Sequence, residues 1–343
     1  MSKYFKEKDE KNMRIVDECC TTLPLACTEY FNDVAIGRES STLANYARQL
    51  KVFFDWIHAE KFEAKLPQHF DLNDLSKITA DDVTTFMYTL KHKGDSDETL
   101  LAYLRAVSSF YKHLNKKCKI HTNPVDGVTR PKHKKAPKVY LDNIDLPRFE
   151  ATVQNGSGLS ERVQKYRETI NSTSRDNAIV AVLYDTGIRV SELVGIDLND
   201  IDFNRCRISV RRKGGDVTLT YFSNETAELL KEYLDDRAKF VDKKETALFV
   251  SFVGKNKGHR LSVRSIELMI KKYARAAGVA NADKMTPHKL RHTCGMALLK
   301  ATGNIALVQA QLAHKSITST TVYAQADDSD LENVRNLRRN TNE

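Results

Sequence analysis

The sequence predicts a mainly helical chain of two domains, the second carrying a small antiparallel sheet. Three observations carry this reading. Apolar residues recur at spacings of three and four through most of the chain, the stripe of amphipathic helices. A basic stretch punctuated by Pro124, Pro131 and Pro137 separates an all-helical first part from the rest. Two alternating segments flank Lys213-Gly214-Gly215-Asp216, the pattern of a hairpin. With 343 residues, the chain has room for two domains of ordinary size.

Residues 1–22 are polar and read as a partly disordered segment or an appended helix. A helical domain is expected over 23–120. Ser40-Ser41-Thr42 can cap a helix carrying Leu43, Tyr46, Leu50, Phe53, Phe54 and Ile57. Thr79-Ala80-Asp81-Asp82 opens another, with Val83, Phe86, Met87 and Leu90 inside and Gly94 at its end. Ser96 caps a further one with Leu100, Leu101, Leu104, Val107, Phe110, Tyr111 and Leu114. These aromatics fall on apolar stripes, so core packing explains them better than base stacking. Lys112 to Lys138 then holds nine Lys or Arg against one acid, Asp126. A solvated, extended linker over 121–140 accounts for it, and a basic linker can neutralise phosphates. Arg130, Lys132, Lys134 and Lys135 are the candidate contacts.

The second domain spans 141–343. Asn143 to Val153 reads as a helix, and Asn155 to Asn177 as a polar insertion. Ala178 to Tyr184 is an apolar helix stopped at Thr186-Gly187. Arg207 to Val210 and Val217 to Phe222 read as strands, with Lys213 at the tip of their ribbon, where a solvated turn lysine is the ordinary reading. A helix over Asn224 to Phe240, a short strand over Ala247 to Phe252 and a helix over Ser262 to Ala277 follow. Thr286-Pro287 opens a helix with a capping hydroxyl and a proline at its first position. Leu290, Ala297, Leu298 and Ala301 supply its buried stripe, and Gly303 stops it. Ile305 to Leu312 is a second helix, and Asp328 to Asn340 a terminal one.

His288, Arg291, His292, His314 and Tyr323 fall in one run, Thr286 to Tyr323. On a helix, His288 and Arg291 share a face. Arginine forks match phosphate oxygens, histidine moves protons near neutral pH, and an activated phenol can attack covalently. The run therefore suits chemistry on a phosphate. A formal net charge of +9 is consistent with a polyanionic partner. The six cysteines show no CxxC pair, which suits a reducing compartment and buried thiols. There is no run of 18 apolar residues, and the N-terminus is charged rather than signal-like. Both favour a cytoplasmic protein that does not enter a membrane.

His288-Lys289-Leu290-Arg291-His292-Thr293, Leu312-Ala313-His314-Lys315-Ser316 and Tyr323, with Thr186-Gly187-Ile188-Arg189-Val190-Ser191-Glu192-Leu193 upstream, resemble the signature of the tyrosine recombinase (integrase) family. Ala313 stands where that pattern usually has Gly. The resemblance covers nearly the whole chain. It implies a two-domain clamp, with an N-terminal core-binding (SAM-like) helical domain and a C-terminal mixed α/β catalytic domain. It implies that Tyr323 attacks a DNA phosphate and forms a 3′-phosphotyrosyl bond. Arg189, Arg291 and His314 would stabilise the charge on phosphate, and Lys213 would protonate the leaving 5′-oxygen. His288 would help take the phenolic proton, and Glu192 would brace Arg189. No metal, ATP or other cofactor is implied. The partners implied are double-stranded DNA with inverted-repeat core sites and a homotetramer, or an Xer-like heterotetramer, joined by trans docking of helix 328–340.

Other readings are weaker. His288 and His292 are spaced as metal ligands could be, but Lys289 stands where HExxH has Glu, and no third ligand appears. A type IB topoisomerase shares the chemistry, but the core-binding helices favour recombination. A catalytically silent DNA-binding module is the alternative of a different class. Among recombinases, no arm-binding domain is evident before the core-binding helices. The polar segments at 1–22 and 155–177 favour integration, excision or resolution of a mobile element over Xer-type chromosome or plasmid dimer resolution.

Overall fold

The structure, a computed structural model, describes residues 3–131, 140–142, 144–212, 215–241 and 244–312. The fold is mostly helical with one small sheet, and the chain divides into two compact units, Met1–Ala136 and Pro137–Glu343.

The N-terminal unit is built from α1 (Lys3–Cys20), α2 (Leu25–Ala35), α3 (Ser40–Lys61), α4 (Leu72–Ser76), α5 (Ala80–His92) and α6 (Asp97–Lys116). The polar first stretch is ordered as α1, which packs along α3 and buries Val16 and Cys19 in the shared core. Its polar face is tied down as well: Ser40 Oγ donates to Asp9 at 2.6 Å and accepts from Asn12 at 3.0 Å. Ser40 is thus already helical, and the residue before α3 is Glu39 without a side-chain cap, contrary to the expected Ser/Thr cap. Thr79 closes a reciprocal capping box with Asp82, and Ser96 accepts from the Thr99 amide. The aromatics are core: Phe53, Phe54, Phe86 and Phe110 are fully or almost fully buried. They meet edge to face, with Phe53–Phe86 centroids 5.2 Å apart and Phe54–Phe110 5.8 Å.

The expected linker is not extended throughout. Residues 124–127 form a turn, and Val125 and Val128 are buried in the N-terminal core. Their apolar side chains outweigh the basic, proline-rich composition that suggested a solvated chain.

The C-terminal unit contains α7 (Asp145–Asn155), α8 (Glu161–Thr169), α9 (Thr173–Thr186), α10 (Val190–Val194), β1 (Ile201–Asp202), β2 (Arg207–Arg211), β3 (Val217–Tyr221), α11 (Asn224–Arg237), α12 (Val263–Ala276), α13 (Pro287–Thr302) and α14 (Ile305–Leu312). The strands are antiparallel in the order β1-β2-β3, with Ile208 opposite Thr220 and Val210 opposite Thr218. Within the polar stretch 155–177, Glu161–Thr169 forms α8 and α9 begins at Thr173. Arg167 of α8 is buried, donates to the carbonyls of Val153 and Gln154 at the end of α7, and lies over the Tyr273 ring.

The strand expected over Ala247–Phe252 does not form a ladder. Its residues are buried but make only isolated bridges, Asp197 with Ala247, Val250 with Arg260 and Ser251 with Lys257. Side chains of α11 take the carbonyls a neighbouring strand would have used: Tyr233 donates to Leu248 at 2.9 Å and Arg237 to Ala247 at 2.7 Å. The helix stripe expected on α13 is also displaced. Leu290 is buried, but Ala297 and Leu298 are half-buried and Ala301 is exposed. Burial concentrates instead on Leu290 to Gly295. All six cysteines are free thiols; Cys19, Cys27 and Cys294 are buried, whereas Cys118 is exposed.

Candidate active site and nucleic-acid interface

The segment Thr186–Leu193 is a tight connection between α9 and α10. Gly187 ends α9 in the left-handed conformation, φ 59°. A Cβ there would collide with Leu312 and press on Cys294 Sγ at 3.1 Å, so both backbone and space demand glycine. Its turn sets Arg189 at the N-terminus of α10 with its side chain 41% exposed. Glu192, 4% exposed, holds it twice: Oε2 accepts from the Arg189 amide at 2.8 Å and Oε1 from Arg189 Nη1 at 2.9 Å. The brace implied by the resemblance is therefore present, and the same carboxylate caps α10.

Glu192 has a second cationic partner that the sequence reading missed. Arg212, at the end of β2, donates Nη1 to Glu192 Oε2 at 2.8 Å, and its side chain is 5% exposed. Arg212 Nε donates to Thr218 Oγ1 at 2.6 Å, and its amide to the Asp216 carbonyl at 2.7 Å. No spacing rule joins positions 192 and 212; the sheet brings them together. Lys213, the next residue, lies outside the described residues, as do His314, Tyr323, helix 328–340 and the linker lysines Lys132, Lys134 and Lys135.

Helix α13 opens at Pro287, but the Thr286 hydroxyl makes no capping hydrogen bond. Arg291 is 2% exposed. One terminal nitrogen donates to the Gly187 carbonyl, and the other to the Leu312 carbonyl at 2.5 Å. One guanidinium thus ties together three stretches of the motif that are far apart in sequence. His288 lies at the surface, one turn before Arg291. Partial desolvation, then the charges of Arg291, Lys289 and Arg189, hold its imidazole below the ordinary value of 6.5. The charges of Arg291 and Arg189 thus both act on His288 and favour its unprotonated imidazole at neutral pH. His292 faces elsewhere: it is buried and stacks on Tyr140, with ring centroids 5.7 Å apart. Among the described residues no group of three or more His, Cys, Asp or Glu is placed to hold a metal.

A second basic site lies wholly within the N-terminal unit. A groove of about 550 Å³ is lined by Arg38, Arg105, Lys112, Lys116 and Arg130, together with Ser108, Ser109 and several apolar and aromatic side chains. Arg130, the described member of the candidate linker contacts, falls here. Arg105, Lys112 and Lys116 follow one face of α6 at seven- and four-residue steps. That spacing lies in the sequence alongside the apolar stripe of the same helix. Groups of this kind bind phosphates through charge and forked hydrogen bonds.

Residues 160–330 match the Phage integrase family, and residues 27–117 its N-terminal SAM-like domain. Tyrosine recombinase XerC of Thermodesulfovibrio yellowstonii is 31% identical over 307 residues, covering 88% of this chain and 91% of that protein. Tyrosine recombinase XerS of Streptococcus thermophilus is 27% identical, covering 95% and 99%. In fold, the chain is similar to the XerH site-specific recombinase in its post-cleavage complex with a palindromic difH substrate. The TM-score is 0.68 at 19% identity, covering 96% of this chain and 95% of that one. No helix among the described residues is long and apolar enough to cross a membrane.

Proposed function

The chain belongs to the Phage integrase family of tyrosine recombinases, and from that membership we propose that it cuts and rejoins two DNA duplexes through a 3′-phosphotyrosyl bond on Tyr323. The observation that supports this best is that Arg291 donates to the carbonyl of Gly187, two residues before Arg189, so two motifs about a hundred residues apart in sequence meet.

In this reading the Tyr323 phenol oxygen attacks the scissile phosphorus, and the bond from phosphorus to the 5′-oxygen breaks. His288 helps take the phenolic proton. Lys213 gives a proton to the departing 5′-oxygen, which leaves as a hydroxyl. Arg189, Arg291 and His314 balance the charge on the non-bridging oxygens. A 5′-hydroxyl from the partner duplex reverses the step on the tyrosyl phosphate and frees the phenol. One phosphoester bond is exchanged for another at each step, so ATP is not required. Exchange of one strand pair gives a Holliday junction, and exchange of the second resolves it. Four protomers on two inverted-repeat sites follow from this scheme, joined through helix 328–340 docking on a neighbour. Lys132, Lys134 and Lys135 would add phosphate contacts to those of the N-terminal groove.

The roles differ in what they recombine. Integration or excision of a mobile element is favoured by the polar segments 1–22 and 155–177, within which α1 and α8 fold. Xer-type dimer resolution is supported by similarity to XerC and XerS along most of each chain. Covalent capture tests chemistry and role together. Wild type and Tyr323→Phe are expressed in the source cells, lysates are denatured, and protein-linked DNA is sequenced. A wild-type-only adduct at a discrete inverted repeat is the expected result. One repeat shared by all replicons indicates dimer resolution, and repeats at the ends of an element indicate mobility. Sequence-specific binding by both proteins with no adduct from either would refute the enzyme in favour of a silent DNA-binding module.

A further inference from the structure

We propose that Arg212 is a positioning residue that keeps the Arg189–Glu192 pair cationic toward the reacting phosphate. The proposal rests on the recombinase reading above. Glu192 and Arg189 by themselves form an ion pair of zero net charge, held by two hydrogen bonds of 2.8 and 2.9 Å. A neutral pair is a poor partner for a phosphate gathering negative charge. Arg212 supplies the third charge, 2.8 Å from Glu192 Oε2 and shielded from water at 5% side-chain exposure. Two guanidiniums then share one carboxylate, and the cluster carries a net charge of +1. The excess appears at Arg189, the member open to solvent at 41% side-chain exposure. In a poorly screened interior this sharing is felt more strongly than at the surface.

The anchoring of Arg212 fits such a task. Its Nε donates to Thr218 Oγ1 on β3 at 2.6 Å, so the sheet orients the fork toward Glu192. The residue is neither a surface contact nor an apolar filler. It is a buried cation whose described acidic partner is the carboxylate that braces Arg189.

The test is single-turnover adduct formation on saturating, nicked core-site DNA, with Kd measured separately. Arg212→Met is expected to slow cleavage on the order of 10–100-fold, the loss found when a partner that orients a metal ligand is removed, with Kd unchanged. Replacing one non-bridging oxygen of the scissile phosphate by methyl removes the charge that Arg189 answers, so on that substrate the deficit should vanish. Replacing the 5′-bridging oxygen by sulfur improves the leaving group only, so there the deficit should persist. Arg212→Lys should restore most of the rate. Arg212→Met/Glu192→Gln should cleave faster than Arg212→Met, because it frees Arg189 from a neutralising carboxylate.

Equal rates for wild type and Arg212→Met would overturn the proposal. So would a deficit cured by sulfur but not by methyl, which would place the effect on the leaving-group side with Lys213. If Arg212→Met does not melt as a folded protein, Arg212→Gln keeps a donor toward Glu192, removes the charge, and carries the same expectations. A wild type that forms no adduct sinks the recombinase reading itself, and this proposal with it.

Discussion

Replacing Arg291 by lysine separates the two duties that the structure gives this side chain. Lysine keeps the charge but ends in one nitrogen, whereas arginine presents a planar fork. That fork reaches the Gly187 carbonyl with one terminal nitrogen and the Leu312 carbonyl with the other, at 2% exposure. A single ammonium cannot hold both. Losing one charge-assisted bond and leaving a buried carbonyl without its donor costs about 3 kcal/mol. In a unit of this size, 137–343, that lowers Tm by about 6–12 °C. Circular dichroism on the full chain reads this transition. The single tryptophan, Trp56, lies in the N-terminal unit, so its fluorescence follows the unit that carries no substitution. Adduct formation should fall as well, since the Arg189 connection rests on the same fork. An unchanged melting transition with cleavage lost would refute the structural half of this reasoning and leave Arg291 acting on phosphate alone.

Two further outcomes follow. Partial desolvation and the neighbouring cations hold the His288 imidazole below 6.5, so in the fold it binds fewer protons than in the unfolded chain. The neutral, base-competent form persists as pH falls through 6.5 and is lost only below it. Single-turnover cleavage should therefore stay level down to that point, and His288→Gln should lower the level on the order of 10²-fold and remove the acid limb; a limb centred above 6.5 in the wild type would contradict the stated environment. In the N-terminal groove, Lys112→Gln and Lys116→Gln should each reduce the slope of log affinity against log salt by about 0.9 if each lysine neutralises one phosphate. Fluorescence anisotropy at several salt concentrations measures that slope, and an unchanged value would remove these lysines from the DNA interface.

Much of this protein was legible along the chain because it depends on neighbours three or four residues apart. The stripes of α3, α5 and α6, the caps at Thr79 and Ser96 and the stop at Gly303 are all short-range relations. The same holds for the resemblance carried by His288, Arg291, His314 and Tyr323, whose order and spacing are properties of the sequence itself. Lys213, His314 and Tyr323 lie outside the described residues, so their roles stand as proposals.

Tertiary structure decided what depends on partners far away in sequence. Ala247–Phe252 has the composition of a strand, yet Tyr233 and Arg237 take its carbonyls and leave it without a ladder. The 121–128 stretch looks like a linker, yet Val125 and Val128 find a core to enter. The need for glycine at 187 comes from Leu312 and Cys294 as much as from its positive φ. Above all, Arg212 reads as one more basic residue before a turn. Only the folding of β2 against α10 closes the distance to Glu192 to 2.8 Å. Local periodicity determines which segments are helices and which side chains could do chemistry, because those rules act within one or two turns. Which charges come to share a carboxylate is set by packing, because Coulombic and hydrogen-bonding partners are chosen by distance in space.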